Sequence, residues 1–158
     1  MQRLEQIIER YGAGLARVAA SYEADRALRE DLLQEMLLAI HRALPSLRDP
    51  DRLGPFVFRV AHNRGVTHVT REHANRRKRD ATEAEPLDPE DDLLARERTQ
   101  RLAGAVRRLP LPYRQVITLV LEELSYAEIA EALGLSVSNV GVRVNRAKAQ
   151  LKELLGDG

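Results

Sequence analysis

Hydroxyl, amide and guanidinium side chains recur near the end of the chain, with apolar residues between them. Residues 136–148 have the sequence SVSNVGVRVNRAK. Ser and Asn can hydrogen-bond phosphate oxygens or base edges, and Arg can pair with guanine in the major groove. A helix that carries these groups on one face would therefore suit sequence-specific contact with duplex DNA. The candidate contacts are Ser136, Ser138, Asn139, Arg143, Arg146 and Lys148.

The residues just before this helix have the spacing of a helix-turn-helix. Such a motif needs a small residue where the helices cross and a residue tolerant of positive φ in the turn. Ala130 and Gly134, four residues apart, meet these two needs. Ser125 and Glu128 predict a capping box at the start of the first helix. The alternative is an ordinary helical hairpin with a solvated polar face, which the agreement of these offsets disfavours.

Patterns that would predict an enzyme or a metal centre are missing from the sequence. The chain has no Cys, which excludes disulfides, thiol catalysis and Cys-ligated zinc. It has no HExxH, P-loop, G-x-S-x-G or G-x-G-x-x-G sequence. We therefore expect no enzymatic activity, no cofactor and no metal site. The four histidines are expected at the surface or beside DNA: His41, His62, His68 and His73.

Composition predicts an all-α fold. Ala, Leu, Arg and Glu dominate the 158 residues, Trp is absent and aromatic residues make up only 4%. No apolar run reaches the ~18 residues of a membrane span. The N-terminal MQRLEQIIER is also too charged for a signal peptide. We therefore expect a cytoplasmic protein with no membrane insertion.

Charge divides the chain into two basic parts and one acidic part. Residues 1–79 carry fifteen Lys and Arg against ten Asp and Glu, a net charge of +5. Residues 80–97 carry one Arg against eight acids, a net −7, and residues 98–158 carry nine against six, a net +3. Two prolines and no apolar periodicity make residues 80–92 typical of an extended linker. We expect two small helical domains, 1–79 and 93–158, joined by this acidic linker; a surface loop within one domain is the alternative.

Apolar spacing predicts three helices before the linker and four after it. A loop between Pro45 and Pro55 separates the second helix from the third. Either Ser136 or Ser138 caps the last helix. The predicted helices are Gln2–Tyr22, Asp25–Leu44, Phe56–Arg79, Leu93–Leu109, Pro112–Glu123, Tyr126–Leu133 and a final helix that ends near Leu155.

Three segments of the chain resemble parts of the bacterial sigma-70 family. DLLQEMLLAIHRALPSL, residues 31–47, resembles the segment of sigma factors that binds core RNA polymerase. FVFRVAHNRGVTHVTR, residues 56–71, resembles the segment that melts the promoter and contacts its −10 element. LPLPYRQVITLVLEELSYAEIAEALGLSVSNVGVRVNRAKAQL, residues 109–151, resembles the domain that binds the −35 element. The size matches the extracytoplasmic-function (ECF) group, which retains only regions 2 and 4.

The resemblance implies a non-enzymatic subunit that binds core RNA polymerase, recognises the −10 and −35 promoter elements and initiates transcription. The residues that match the family's contact with a coiled coil of the polymerase β′ subunit are Asp31, Leu32, Gln34 and Glu35. The implied −10 contacts, on the third helix, are Arg59, Asn63, Arg64, Thr67, Arg71, Arg76 and Arg77.

Other parts of the chain acquire roles by the same resemblance. The loop from Pro45 to Pro55 would help to form a pocket for an extruded base. The acidic linker would thread through polymerase near its active centre, where its seven acids imitate the charge of nucleic acid; a solubilising tether is the alternative. An anti-sigma factor that holds the protein inactive is a further implied partner.

Several positions depart from the family pattern. The third helix has Phe56 where Trp is usual, His62 where Arg is usual and Thr67 where an acid is common. In the last helix, Gly141 and Val142 stand where the family often has Lys and Ser. These departures bear on the promoter preference but leave the basic surface in place.

Two other functions stay open on sequence alone. A helix-turn-helix regulator would bind duplex DNA by itself, but it would need a dimer to contact two half-sites, and no dimerisation helix is evident. A protein-only adaptor that sequesters partners fits the charge pattern less well. Dependence of DNA binding on polymerase separates a sigma factor from the regulator, and absence of DNA binding would indicate the adaptor.

Overall fold

Helices are the regular elements in the two parts of the chain that the computed structural model describes, residues 2–76 and 93–156. The all-α class predicted from composition is confirmed. The acidic segment 80–92 lies outside the described residues. The linker and the limits of the two domains therefore stay predictions.

Seven α-helices occur in the described ranges. Before the predicted linker these are α1 (Gln2–Tyr22), α2 (Arg26–Ala43) and α3 (Leu53–Arg76). After it come α4 (Leu93–Arg108), α5 (Leu111–Leu121), α6 (Tyr126–Leu133) and α7 (Val137–Gly156). Two short 3₁₀ turns follow α2: Leu44–Ser46, at the start of the predicted loop, and Pro50–Arg52, within it.

Side-chain caps begin α2 and α6, as the sequence predicts for α6. Asp25 precedes α2, and its carboxylate accepts a hydrogen bond from the Leu28 backbone N–H at 3.0 Å. Ser125 and Glu128 form the complete capping box at the start of α6, with each side chain bonded to the other's backbone N–H. These bonds satisfy N–H groups that have no partner inside the helix.

The turn between α6 and α7 has the geometry of the predicted helix-turn-helix. Gly134 adopts a left-handed backbone with φ of 69°, which glycine tolerates without steric cost. The Leu135 N–H then reaches back to the carbonyl oxygen of Ala130 at 2.9 Å. Ser136 rather than Ser138 caps α7, because its hydroxyl accepts the N–H of Asn139 at 3.1 Å.

Two helix boundaries in the described ranges differ from the predictions by more than one residue. The third helix, α3, begins at Leu53, three residues earlier than predicted, because Pro55 is tolerated in a first turn where its missing N–H loses no bond. The fifth helix, α5, ends at Leu121, before the predicted Glu123. Glu123 has a positive φ of 68°, which stops the helix.

Each half of the chain buries its own set of apolar side chains. Helices α1, α2 and α3 pack on one another, and α5, α6 and α7 do the same, with α4 against α5 and α7. The fully buried apolar residues include Ile7, Leu15, Leu32, Met36, Ile40 and Val57 in the first half and Leu119, Ile129, Val140 and Val144 in the second.

The two halves also pack against each other. Helices α1 and α3 contact α4, α5 and α6 of the second half. Arg107 on α4 donates to the backbone carbonyl of Ala20 on α1 at 2.8 Å. Among the described residues, α2 and α7 contact only elements of their own half. The outer surfaces of α2 and α7 are therefore free of this contact.

Two histidines lie in the interior, contrary to the expectation that all four are at the surface or beside DNA. His62 and His68 are both buried. The His68 Nε2 lies 2.9 Å from a carboxylate oxygen of Glu23, which is itself buried. The other Glu23 oxygen accepts the Asp25 backbone N–H at 2.8 Å. A buried carboxylate needs such partners, so this pair connects α3 to the turn between α1 and α2.

Gly65 lets α3 approach the end of α1 closely. A Cβ atom at Gly65 would lie 2.5 Å from both Cδ2 and Cε2 of Tyr22, well inside van der Waals contact. The Tyr22 ring therefore packs directly on the backbone of α3. This explains why a glycine, a poor helix former, occupies the middle of a long helix.

The Gly65→Ala variant should be less stable than the wild type, although Ala favours a helix over Gly by ~1 kcal/mol. The added methyl group must displace the buried Tyr22 ring, which we expect to lower the free energy of unfolding by about 1–3 kcal/mol. Urea unfolding followed by circular dichroism measures the change. Gly104→Ala in α4 is the control, because its nearest neighbour, Arg107 Nη2, would lie at 3.8 Å. A Gly65→Ala protein as stable as the control would contradict this packing.

Candidate nucleic-acid interface

One side of α3 carries polar and basic side chains. Arg59, Asn63 and Thr67 follow one another at four-residue intervals, and all three are exposed. This spacing places them on one side of the helix, and exposed Arg71 continues the row. We call these four residues the α3 stripe. Arg64 lies beside the stripe and is half-buried.

Two further arginines, Arg76 and Arg77, are among the predicted contacts with the −10 element. Arg76 is the last residue of α3, and its side chain is not among those described. Arg77 lies outside the described residues. Their contacts with DNA stay predictions.

A cleft of about 220 Å³ opens near the start of α3. The Arg59 guanidinium carbon lies 6.0 Å from the centroid of the Phe56 ring, a cation–π contact on its wall. Glu131 on α6 contributes a carboxylate from the other half of the chain. The remaining lining includes Ser46, Leu47, Arg48, Asp49, Arg52 and Pro55. The predicted loop thus lines a cleft, as expected, and its occupant stays a prediction.

The set of predicted DNA contacts omits two arginines of this cleft. Arg48 and Arg52 are both exposed, and Arg52 pairs with Glu131. Their position on either side of Pro50, in a loop expected to form a pocket, is the sequence signal that could have identified them. Phe56 is buried with 7% of its surface exposed, so it belongs to both the core and the cleft wall.

The buried residues of α7 determine which of its side chains face outward. Val140, Val144 and Ala147 are fully buried. Arg143 is half-buried, and the predicted contacts with exposed side chains are Ser136, Ser138, Asn139, Arg146 and Lys148.

Two outward residues of α7 are absent from the predicted set. Val142, with 47% of its surface exposed, and Asn145 lie four and seven residues after Ser138. That spacing places all three on the side opposite the buried residues. An apolar side chain here can contact a thymine methyl group, so the polar residues alone describe this face incompletely.

The outward face of α2 carries Asp31, Gln34 and Glu35, all exposed. Leu32 is fully buried beneath this face, and its role in polymerase binding stays a prediction. Leu38 was not predicted, yet 48% of its surface is exposed. It lies three residues after Glu35 and seven after Asp31, so it shares their side of the helix. We call Asp31, Gln34, Glu35 and Leu38 the α2 face.

The described ranges lack two general features. No three His, Asp or Glu side chains gather there as metal ligands. No helix of these ranges is long and apolar enough to cross a membrane.

Family models and curated relatives agree on what this chain resembles. The model of Sigma-70 region 2 matches residues 7–77, and the model of Sigma-70 region 4 matches residues 99–151. The RNA polymerase sigma factor NccH of Alcaligenes xylosoxydans is 30% identical over 95% of this chain and 85% of its own length. The RNA polymerase sigma factor CnrH of Cupriavidus metallidurans is 31% identical over the same shares. The chain belongs to the sigma-70 family.

Solved structures of sigma factors have the same fold. CnrH in complex with the cytosolic domain of CnrY matches with a TM-score of 0.73 at 30% identity, over 99% of this chain and 90% of that one. The sigma factor RpoE of Bartonella quintana, in complex with the anti-sigma factor NepR, matches with a TM-score of 0.77 over 99% and 98%. At 20% identity, this second likeness concerns the fold alone.

The relatives place this sigma factor in the ECF group. Its function is transcription initiation with RNA polymerase, and a regulator that binds DNA by itself is not favoured. The match to region 2 begins within α1 and runs past the end of α3, and the match to region 4 begins within α4 and ends within α7. We use the names region 2 and region 4 for these two sets of helices.

In this sigma factor, His62 joins the two regions through hydrogen bonds. Its Nδ1 lies 2.6 Å from the Tyr22 hydroxyl, and its Nε2 lies 3.1 Å from the Thr118 hydroxyl on α5. The Thr118 hydroxyl donates to the Gln115 carbonyl at 2.9 Å, so its oxygen accepts a hydrogen bond from the His62 Nε2–H. Nδ1 is then the acceptor from Tyr22, and this network assigns a neutral imidazole.

Burial keeps both the His62 imidazole and the Tyr22 hydroxyl uncharged. It lowers the pKa of His62 to about 3 and raises the pKa of the Tyr22 hydroxyl above its ordinary value. The departure from the family pattern at His62 therefore serves the packing of region 2 on region 4 rather than contact with DNA.

Acid should destabilise this sigma factor more than it destabilises a variant without the His62 imidazole. The unfolded chain protonates this residue near pH ~6.5, whereas burial lowers its pKa to about 3 in the folded protein. Between these values the unfolded state binds the extra proton, so the free energy of unfolding decreases by about 1.4 kcal/mol for each unit by which the pH is lowered. Urea unfolding at several pH values measures this slope. His62→Gln should have a shallower profile, and parallel profiles would refute the assignment.

Proposed function

We propose that this sigma factor contacts polymerase and promoter through three separate surfaces. The α2 face binds core RNA polymerase, the α3 stripe and its cleft bind the melted −10 element, and α7 binds the −35 element. The observation that carries the proposal is that each surface is the exposed side of a different helix whose opposite side is buried. A small chain can then contact one protein and two DNA elements together.

The −35 element is the proposed ligand of α7. The helix-turn-helix anchors α7 through its buried valines and leaves Ser138, Asn139 and Arg146 exposed for the major groove. Arg143 and Arg146 can pair with guanine, while Lys148 suits a phosphate. Base contacts supply specificity and phosphate contacts supply position, so both kinds are needed.

The −10 element is the proposed ligand of the α3 stripe. Holding melted DNA requires cations for the phosphates and a place for an unstacked base. Arg59 and Arg71 supply positive charge, and the Asn63 amide can hydrogen-bond a base edge. The cleft beside them has an aromatic wall at Phe56 and a volume of about 220 Å³.

Core polymerase is the proposed ligand of the α2 face. The family resemblance points to the coiled coil of the β′ subunit as its docking site. Asp31 and Glu35 suit basic groups on a partner, and Leu38 offers an apolar anchor among them. Interfaces commonly combine such an anchor with a polar rim.

The remaining roles follow from the same function. The protein is proposed to be a non-enzymatic subunit that needs no cofactor or metal, because polymerase carries the chemistry. It would act in the cytoplasm, where core polymerase and the promoter DNA meet. The acidic linker would enter polymerase near its active centre.

An anti-sigma factor is a further proposed partner. The similar sigma factor RpoE was solved with the anti-sigma factor NepR, and CnrH was solved with the cytosolic domain of CnrY. A protein of that class would hold this sigma factor away from polymerase until a signal releases it.

Run-off transcription on fragmented host DNA tests the proposed function. Purified core polymerase should produce transcripts from defined start sites only when this protein is added, and the upstream sequences should share −10 and −35 elements. Leu38→Asp should abolish these transcripts, whereas Ile8→Asp, at a residue with a similar 45% exposure, should retain them. Absence of transcripts together with tight duplex binding without polymerase would overturn the proposal.

Arg143→Ala should relax the −35 preference at one base pair. Loss of a bidentate base contact costs about 1–3 kcal/mol of discrimination. Competition between promoter variants for the holoenzyme measures this effect position by position. Lys148→Ala is the matched variant and should weaken all sequences equally. If Arg143→Ala also weakens all sequences equally, its role is a phosphate contact.

A further inference from the structure

Two glycines that lie within helices have opposite surroundings. At Gly65 a Cβ atom would overlap the Tyr22 ring, so the packing of region 2 itself requires a glycine. At Gly141 on α7 the nearest atom to a Cβ would be Tyr126 Cε2 at 3.8 Å, which is ordinary van der Waals contact. An alanine therefore fits at position 141, and it would favour the helix more than glycine does. Among the described residues, no packing contact requires the glycine at this place in α7.

The position of Gly141 on α7 indicates a different reason for the glycine. The outward face of α7 is the side opposite the buried Val140 and Val144. Gly141 follows Ser138 by three residues and precedes Asn145 by four, so it lies beside these exposed residues. A glycine there lets the helix backbone approach a ligand closely. The proposed ligand of this face is the −35 element, so the close approach is to base edges in the major groove.

Val142, next to Gly141, is an exposed apolar residue on the same face. Its surface is 47% exposed, although valine is a weaker helix former than the straight-chain polar residues that usually occupy such positions. Hydrogen-bonding side chains lie around it, because Ser138 is four residues before it and Asn145 and Arg146 are three and four residues after it. The outward face therefore combines several polar groups with one small apolar contact.

The chemistry of the major groove indicates what such a contact fits. Each base edge displays hydrogen-bonding atoms there, and the apolar group among them is the C5 methyl of thymine. A valine side chain can cover this methyl group, and it cannot satisfy the donors and acceptors of the other base edges. An exposed valine beside a glycine is thus suited to an A·T base pair whose thymine methyl faces the helix.

We propose that Gly141 and Val142 form an apolar subsite that selects one thymine of the −35 element by its methyl group. Gly141 permits the close approach, and Val142 makes the contact. Both positions depart from the family pattern, so the subsite belongs to this chain in particular. The inference rests on the proposed binding of α7 to the −35 element, and it names the base chemistry that this face selects.

Removal of single methyl groups from the DNA tests the subsite. The probes are promoter duplexes mapped by run-off transcription, in which each −35 thymine in turn is replaced by deoxyuridine. In competition with the parent duplex, one of these probes should bind the holoenzyme about fourfold more weakly, which is the worth of one buried methyl group. Holoenzyme with Val142→Ala should bind that probe and the parent duplex equally. Val142→Ile, which keeps an apolar side chain, should retain the preference.

Val137→Ala is the matched control for Val142→Ala. Val137 is also on α7 and has a similar exposure of 52%. It precedes Val142 by five residues, which places it about 140° away around the helix axis. The Val137→Ala holoenzyme should therefore keep the wild-type preference for the parent duplex over the deoxyuridine probe.

Gly141→Ala tests the close approach separately. The added methyl group has room within the protein, so this variant should unfold at a higher urea concentration than the wild type. Its holoenzyme should nevertheless bind the parent duplex roughly tenfold more weakly, because a methyl group forced into a close-packed contact costs about that factor. Binding as tight as that of the wild type would overturn the role of Gly141.

The outcomes separate this inference from the proposed function. Equal binding of the parent duplex and every deoxyuridine probe by the wild-type holoenzyme would overturn the subsite, while defined transcripts would still support the proposed function. A preference that persists in Val142→Ala would also overturn the subsite, because another residue would then contact the methyl group. Absence of run-off transcripts with the wild-type holoenzyme would overturn both.

Discussion

The burial of the Tyr22 ring against Gly65 is the contact on which the arrangement of both regions depends. It brings the end of α1 onto the backbone of α3, at a distance that no side chain on residue 65 would permit. The Tyr22 hydroxyl then reaches His62 at 2.6 Å, and His62 reaches Thr118 of region 4. A larger residue at position 65 would displace the Tyr22 ring. The hydrogen bonds from Tyr22 to His62 and from His62 to Thr118 would then be disrupted.

Arg114 adds a charged group to the same junction. Its guanidinium carbon lies 5.7 Å from the Tyr22 ring centroid, and one of its nitrogens donates to the carbonyl oxygens of Arg107 and Leu109 at 2.6 and 3.1 Å. These carbonyls end α4, where the helix leaves acceptors without partners. Burial lowers the pKa of the Arg114 guanidinium from its ordinary value. One side chain thus completes the end of α4 and covers the aromatic ring of the other half.

The α2 face and the outward face of α7 are positioned in the same way, because buried side chains on the opposite side of each helix pack into the core. Val140 and Val144 anchor α7, and Leu32 lies beneath the α2 face. The cleft of region 2 differs, because a residue of region 4 forms part of its wall. Contact between the halves therefore alters the lining of the cleft, whereas the α2 face and the outward face of α7 take no part in that contact.

The sequence by itself determined the helices, the helix-turn-helix and the polar residues of the three proposed surfaces. These features depend on neighbours three or four positions away, as in the capping box of Ser125 and Glu128 or the turn at Gly134, so local spacing suffices to predict them. Only the tertiary structure decided that His62 is buried and that Glu131 lines the cleft. Arg52 and Glu131 are 79 positions apart, and Arg17 and Glu122 are 105 apart. Such pairs form only when separate helices pack, and the packing is decided by how side chains of many helices fit together.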